Sequence, residues 1–551
     1  MNRKQKNVLF AASFLTASLL LAGVAAAQAA PPKPAPFLRR EGGRTRLIVD
    51  GQPFLMLTAE ANNSSGSGLE FMQNSWKKYN AIHANTAVVS LSWELIEPQE
   101  GVYDFRTVDG LIAGARAHNL RLVFLWFGTW KNTFSSYVPA WVKTDRTRFL
   151  FAQPTPGEKH WGAISAWSDA GRDADARAFA AVMRHLRQVD GTRHTVLMMQ
   201  VENETGLIGG SRDHVPAAEA DFARPIPTAL GEYLKAHQAS LLPELRDPWQ
   251  AAGARTAGTW TEVFGTVADE AFMAWHYGRY VDAIAAAGKR EYPLPMFVNA
   301  WLEGEPGSYP NGGPVSRMGD VWRVAAPHID LLAPDIYGDT RRFSEMSTLY
   351  TRAGNPLLVV ESSADHAVAN AWTAFATFGA LGFGPYPLEE PFDPAPVGDV
   401  YQCLAGMMPQ LIRYGGTDRM VGILLDRDEP QEFDLNGYRL VASPLKPKPD
   451  AKQTDVHPQP GHGLVLALGP DEFAVVGTGF SLQVNALPGR PGHVEVLSCD
   501  EGRFVNGEWV AGRRLNGDEY ESALTLSDTE PGVTGLRRTI QGRRVRVWSS
   551  P

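Results

Sequence analysis

From residue 53 onward, short apolar runs rich in β-forming residues alternate with longer segments whose apolar positions recur every three or four residues. Side chains alternate faces along a strand and repeat every 3.6 residues along a helix, so this mixture of periods predicts repeated βα units around a parallel sheet. Eight strands are predicted, at 54–58, 86–91, 121–126, 196–201, 296–300, 329–333, 357–360 and 380–383. Helical patterns between them include 174–188, 270–287 and 343–352. Eight units point to a closed (β/α)8 TIM barrel, and the lack of a Gly-rich phosphate loop after the first strand removes the main support for an open nucleotide-binding sheet.

The stretch 206–266 after the fourth strand is irregular, with several Pro and Gly residues and an amphipathic piece near 230–237. It is expected above the carboxyl ends of the strands, where it would shape a pocket. Past about residue 420 the pattern changes to strand-like runs at short intervals, at 420–425, 438–442, 463–468, 472–477, 480–484, 493–497 and 543–547. The expected architecture is α/β, with a catalytic barrel over 30–419 and a C-terminal β-sandwich domain over 420–551. The Pro- and Lys-rich stretch 444–460 follows neither period and reads as an exposed loop.

The first residues stand apart from both units. Arg3, Lys4 and Lys6 precede an apolar run from 8 to 24 that ends in small residues with A-x-A character, which reads as a secretory signal peptide over 1–29. A membrane anchor is the weaker reading, because the run is short and Pro31, Pro32 and Pro34 follow it. A periplasmic or secreted protein is therefore expected, with no membrane partner after cleavage. The net charge of −8, with Lys and Arg scattered, leaves no electrostatic footprint for a nucleic acid and suits a neutral substrate. Cys403 and Cys499 read as buried thiols, and no His or Cys spacing marks a metal site or a cofactor.

In this architecture, chemistry sits at the carboxyl ends of the strands. The fourth strand runs through Met198, Met199, Gln200 and Val201 into Glu202, Asn203 and Glu204, and the seventh runs through Val359 and Val360 straight into Glu361. Burying an ionised acid costs several kcal/mol unless it is paired or its pKa moves, so acids in these places imply a task. Strands four and seven face each other across a barrel mouth. An acid and a carboxylate about 5 to 5.5 Å apart are what retaining glycoside cleavage requires, one protonating the leaving oxygen and the other attacking the sugar. Glu204 and Glu361 are the candidates, and ordinary strand-end ion pairs are the rival reading of either one alone.

The run Gln200-Val201-Glu202-Asn203-Glu204-Thr205-Gly206 resembles the acid/base motif of glycoside hydrolase family 35, the β-galactosidases. Trp93, Glu97-Pro98, Gly101, Tyr103 and Phe105 resemble that family's second-strand signature, and Pro139-Ala140-Trp141 its third-strand loop. Thr205, Glu94, Ile96 and Ser362 depart from its pattern. The resemblance covers most of 45–420 and implies a retaining exo-β-galactosidase with Glu204 as acid/base, Glu361 as nucleophile and Asn203 on the sugar's 2-hydroxyl. The bacterial branch that carries a C-terminal sandwich implies plant polysaccharide fragments, such as xyloglucan oligosaccharides, as the carbohydrate partner. Another retaining glycosidase, such as an arabinosidase or endo-glucanase, and a noncatalytic carbohydrate-binding protein stay open.

Further contacts to a sugar are expected from Glu60 after the first strand and from Trp130, Lys131 and Asn132 after the third. Trp126 is assigned to the barrel interior. Trp301 is read as an aromatic platform or core residue, and Tyr337 as a donor that keeps Glu361 ionised or as a simple buried tyrosine.

Overall fold

The structure, a computed structural model, describes residues 33–158, 162–302, 304, 307–389, 393–425, 429–445, 461–490, 492–519, 524–526 and 540–550. The expected signal peptide and most of the 444–460 loop lie outside the described residues. Eight parallel strands follow one another along the chain: β1 (Met56–Glu60), β2 (Thr86–Ser92), β3 (Arg121–Lys131), β4 (Val196–Asn203), β5 (Met296–Trp301), β6 (Leu331–Asp335), β7 (Leu358–Val359) and β8 (Gly382–Phe383). Their order in the sheet is β7-β8-β1-β2-β3-β4-β5-β6. The ring closes where the Ile336 N–H donates to the Glu361 carbonyl at 3.0 Å and the Ser363 N–H to the Ile336 carbonyl at 3.4 Å. The expected TIM barrel is therefore present, with all eight strands close to their predicted positions.

Strand alternation decides which side chains fill the ring. Met56, Val88, Val123, Leu125, Phe127, Met198, Phe297, Leu331, Ala333, Leu358 and Val360 gather in one core. Their neighbours Leu57, Ala87, Val89, Leu122, Phe124, Trp126, Met199 and Val201 face the surrounding helices in another. Those helices are α1 (Met72–Ala81), α2 (Arg106–Ala117), α3 (Asp169–Asp190), α4 (Ala268–Glu291), α5 (Gly319–Ala325), α6 (Thr340–Thr351), α7 (Ala364–Ala376) and α8 (Ala395–Gly406), with shorter helices in the loops. A small antiparallel sheet of Phe37–Glu41, Arg44–Val49 and Gln52–Phe54 precedes β1 and adds Leu47 and Val49 to the inner core. The apolar interior is thus capped at the amino ends of the strands, and the site is left to the other end.

From Met420 the described residues form two antiparallel sheets, one of six strands and one of four. Their facing sides enclose a second core that includes Ile423, Tyr438, Leu440, Val465, Phe473, Val475, Phe480, Leu482 and Val545, as expected of a β-sandwich. Barrel and sandwich belong to one compact unit over Pro34–Pro551. At the seam, the Gly422 N–H donates to Thr377 Oγ1 at 2.9 Å, and a Cβ at Gly422 would lie 2.6 Å from the Cα of Thr373 in α7. Only a residue without a side chain lets strand and helix approach this closely. Cys403 is half-buried and Cys499 buried, and both are free thiols. Among the described residues no helix is long and apolar enough to cross a membrane.

Candidate active site

The inward parity of β1 runs Met56, Thr58, Glu60, so the last residue of that strand points into the barrel mouth. Glu60 is buried and its Oε2 has no partner within the protein. On β5 the same parity brings Asn299 inward, and on β6 it brings Asp335. Asn299 Nδ2 donates to Asp335 Oδ2 at 2.7 Å, and Asn299 Oδ1 accepts from the Glu204 backbone N–H at 2.9 Å. This one amide therefore fixes both the backbone of the candidate acid and the side chain next to it.

Glu204 reaches the mouth by a different route. Glu202 and Glu204 adopt left-handed backbone angles, with φ of 62° and 45°. Non-glycine residues pay on the order of 1 kcal/mol or more for this conformation. The turns take Glu202 out of the inward series that Met198 begins and onto the helix side, while Glu204 lies over the inner core. An oxygen of each of Glu204, Asp335 and Glu361 lies within 4.8 Å of the others. That spacing fits the closely set carboxyl pair of a retaining glycosidase. The same three acids form a group of described residues close enough to hold a cation, but amide or phenol donors already engage each of them.

The donors differ between the two central acids. Asn132 Nδ2 donates to Glu204, and the Tyr337 hydroxyl donates to Glu361. Burial raises the Glu204 pKa to about 7, with the Glu361 charge adding to the rise, while Lys131 and a hydrogen bond with Asp335 oppose it. Burial also raises Glu361, and here Lys131 and the Tyr337 hydroxyl pull it back. Asp335 is held well above the usual carboxylate range by burial and by Glu361 and Glu204, and it is hydrogen-bonded to Glu204. Burial and the Glu361 charge likewise push Glu60 well up. One site thus holds four acids, of which Glu204 is poised near neutrality and Glu361 has both a phenol and an ammonium favouring its charge.

Most of the residues expected from the sequence converge here. Lys131 is buried at the end of β3 and interacts with Glu60, Glu204 and Glu361. Asn203 is fully buried, and both its Nδ2 and Oδ1 lack partners within the protein. Tyr337 is 45% exposed while its hydroxyl holds Glu361, and Trp301 is 40% exposed at the end of β5. Trp301 is therefore a surface aromatic, not core.

Trp130 requires a correction. It is fully buried, its Nε1 donates to the Ile164 carbonyl at 2.9 Å, and it packs on Tyr277 and Tyr280 of α4, so no face is available to a sugar. The reason is local: β3 extends to Lys131, five residues beyond the predicted strand, and an irregularity between Trp126 and Lys131 leaves the side chains of both Thr129 and Trp130 on the helix side while Lys131 reaches the mouth. Trp126 is also corrected. It is buried, but on the helix side, where it packs on Phe179 and donates from Nε1 to Asp175 at 2.7 Å. Asn299 and Asp335 received no role from the sequence, although the parity of their strands marks both.

With this geometry in hand, the comparisons with known proteins can be placed. Residues 70–264, from α1 past Glu204, match the glycoside hydrolase family 42 model described as "Beta-galactosidase", and residues 397–527 match one described as a domain of unknown function (DUF5597). The chain thus carries a glycoside hydrolase domain. The match over these residues is to the family 42 model and not to the expected family 35. No curated protein matches the chain. Among solved structures, a β-galactosidase from Bacillus circulans is similar at 14% identity and a TM-score of 0.44, over 66% of this chain and 59% of that one. A β-mannanase from the blue mussel Mytilus edulis is similar at 12% identity and 0.40, over 68% and 96%. A β-amylase catalytic domain from Paenibacillus polymyxa is similar at 10% and 0.42, over 62% and 94%. The chain therefore spans about three fifths of the Bacillus enzyme's length.

Proposed function

We propose that the protein is a retaining, exo-acting β-galactosidase that removes terminal β-galactosyl residues from plant polysaccharide fragments such as xyloglucan oligosaccharides. The single observation that carries this reading is the carboxyl pair of Glu204 and Glu361 at the barrel mouth, closely set and given opposite donors. Glu361 attacks the anomeric carbon while Glu204 protonates the departing oxygen. Glu204 then takes the proton from the water that releases the sugar. Asn203 and Glu60, whose buried polar atoms have no partner in the protein, supply contacts to sugar hydroxyls. A site built to hydrogen-bond such hydroxyls selects strongly against analogues that lack them. Trp301 and the exposed face of Tyr337 offer apolar surface to the rest of the substrate. The basic, apolar leader fits export, with action in the periplasm or outside the cell.

A panel of nitrophenyl glycosides tests the sugar, and proton NMR of the first-formed product tests retention. The β-galactoside should lead the panel and the β-anomer should appear first. A leading arabinoside or an internal cut in a glucan would replace galactose with another sugar. Sugar binding with no turnover of any glycoside would overturn the enzyme reading.

A further inference from the structure

Beneath the mouth, between β3, β4 and α3, lies a second pair of acids that the proposed chemistry does not use. Asp175 of α3 and Glu202 of β4 are both fully buried. Asp175 Oδ2 and Glu202 Oε1 accept from the same Thr129 N–H, at 2.7 and 3.1 Å, so these two oxygens sit side by side. Asp175 also accepts from Trp126 Nε1 and Thr129 Oγ1, each at 2.7 Å, and Glu202 Oε2 accepts from the Trp130 N–H at 2.6 Å. The Tyr280 hydroxyl, 3.0 Å from Thr129 Oγ1, continues the network into α4. Gly128 makes room for it, because a Cβ there would lie 2.4 Å from Asp175 Oδ2 and 2.7 Å from Glu202 Oε1.

Two buried carboxylates cannot both ionise in contact, so the pair must share one proton. Two donors of its own and the shared N–H converge on Asp175, whereas Glu202 receives one of its own and the shared one, so the charge belongs on Asp175 and the proton on Glu202. We infer that Asp175 and Glu202 form a singly protonated positioning pair that clamps the backbone of Thr129 and Trp130 and thereby aims Lys131 and Asn132 at Glu204 and Glu361. The clamp needs no contact with substrate. Its effect passes through the chain: the two amides it grips immediately precede the two side chains that oppose or hydrogen-bond the mouth acids. Burial pushes both members upward, Glu202 well above the carboxylate range, which agrees with a proton on Glu202.

The inference rests on the glycosidase reading for its kinetic consequences, and hydrogen exchange tests it without them. Three variants of the full chain separate the possibilities. Glu202→Gln keeps the neutral acid's pattern, donating to Asp175 and accepting from Trp130, so it should retain kcat within about threefold and leave the Thr129 and Trp130 amides protected. Glu202→Leu removes the grip, and Asp175→Asn turns an NH2 toward existing donors. In both, the two amides should exchange at least about tenfold faster, and kcat should fall by about 30-fold or more with KM little changed. Both limbs of the pH profile should also move to higher pH as Lys131 and Asn132 withdraw from a mouth that otherwise holds Glu60, Asp335 and Tyr337 beside the two central acids. A loss of stability alone would leave those limbs in place.

Equal damage from Glu202→Gln and Glu202→Leu would overturn the proton assignment. Unchanged exchange at Thr129 and Trp130 in Asp175→Asn would overturn the clamp, and that variant decides the matter if Glu202→Leu does not fold. If the exchange pattern holds while the wild-type protein turns over no glycoside, the clamp stands and the reading of function falls.

Discussion

The end of β4 supplies one acid to each of two carboxyl pairs, Glu202 turning out onto Asp175 and Glu204 turning into the mouth toward Glu361. The outer pair is sealed and its oxygens take donors from the protein itself. Around the inner pair, Glu60 and Asn203 keep buried polar atoms without partners. Leaving such groups unsatisfied costs about 1 to 3 kcal/mol each, a cost that is offset when a ligand supplies the missing bonds. The same residue type is therefore a structural clamp where the protein completes its bonding, and a candidate catalyst where completion is left to a substrate.

Substitutions can break this contrast. The largest effect is expected at Glu361: Glu361→Gln keeps the shape but removes the nucleophile, and turnover of the best glycoside should fall by about 10⁴-fold or more, read as kcat. The matching amide at Glu202 should be tolerated, and similar losses from both would erase the distinction. Glu204→Gln should lower kcat by about 10³-fold for substrates with poor leaving groups and much less for activated aryl glycosides. With wild-type protein, the acid role predicts that kcat/KM falls as pH rises through about 7.

Tyr337→Phe should cost about tenfold in kcat/KM. Without the phenol donor the Glu361 pKa rises, so the acid limb of the profile should shift to higher pH. The smallest effect concerns stability. Because folding raises the Glu204 pKa, the folded state binds the proton more tightly, and stability is lost as pH climbs from the ordinary carboxylate range through about 7. Glu204→Gln should therefore match wild type near pH 4 and exceed it by about 3 kcal/mol at most near pH 8, measured by denaturant unfolding at the two pH values.

Strand parity explains what the sequence could disclose. The eight barrel strands were legible because each is a short apolar run between turn signals. Gln431–Leu435 and Glu508–Leu515 in the sandwich escape because exposed polar side chains dilute their apolar pattern, and Leu524–Leu526 because three residues are too few to show a period. Glu60, Asn299 and Asp335 follow directly from counting inward positions. Counting fails for Glu202, which it puts on the same side as Glu204, and for Glu361, which is out of step with the inward Leu358 and Val360. Glu204 and Glu361 stand out for another reason, as acids closing apolar strands on opposite sides of the ring. Trp130 escapes sequence reading because β3 runs on to Lys131 through an irregularity after Trp126, where alternation no longer tells which side chain faces the mouth. The Asp175 partner of Glu202 lay beyond sequence reasoning, since only folding brings α3 onto that turn.

The left-handed turns at Glu202 and Glu204 also limit how this protein can drift. Glycine would relax the backbone at either position, but at 202 it would also strip the clamp from the Thr129 and Trp130 amides. At 204 the exchange deletes a carboxyl that burial disfavours in its charged form. A stability-driven library should therefore enrich glycine at 204 among inactive clones while 202 keeps its acid or an amide, and the difference would trace the outline of the site without a substrate ever being bound.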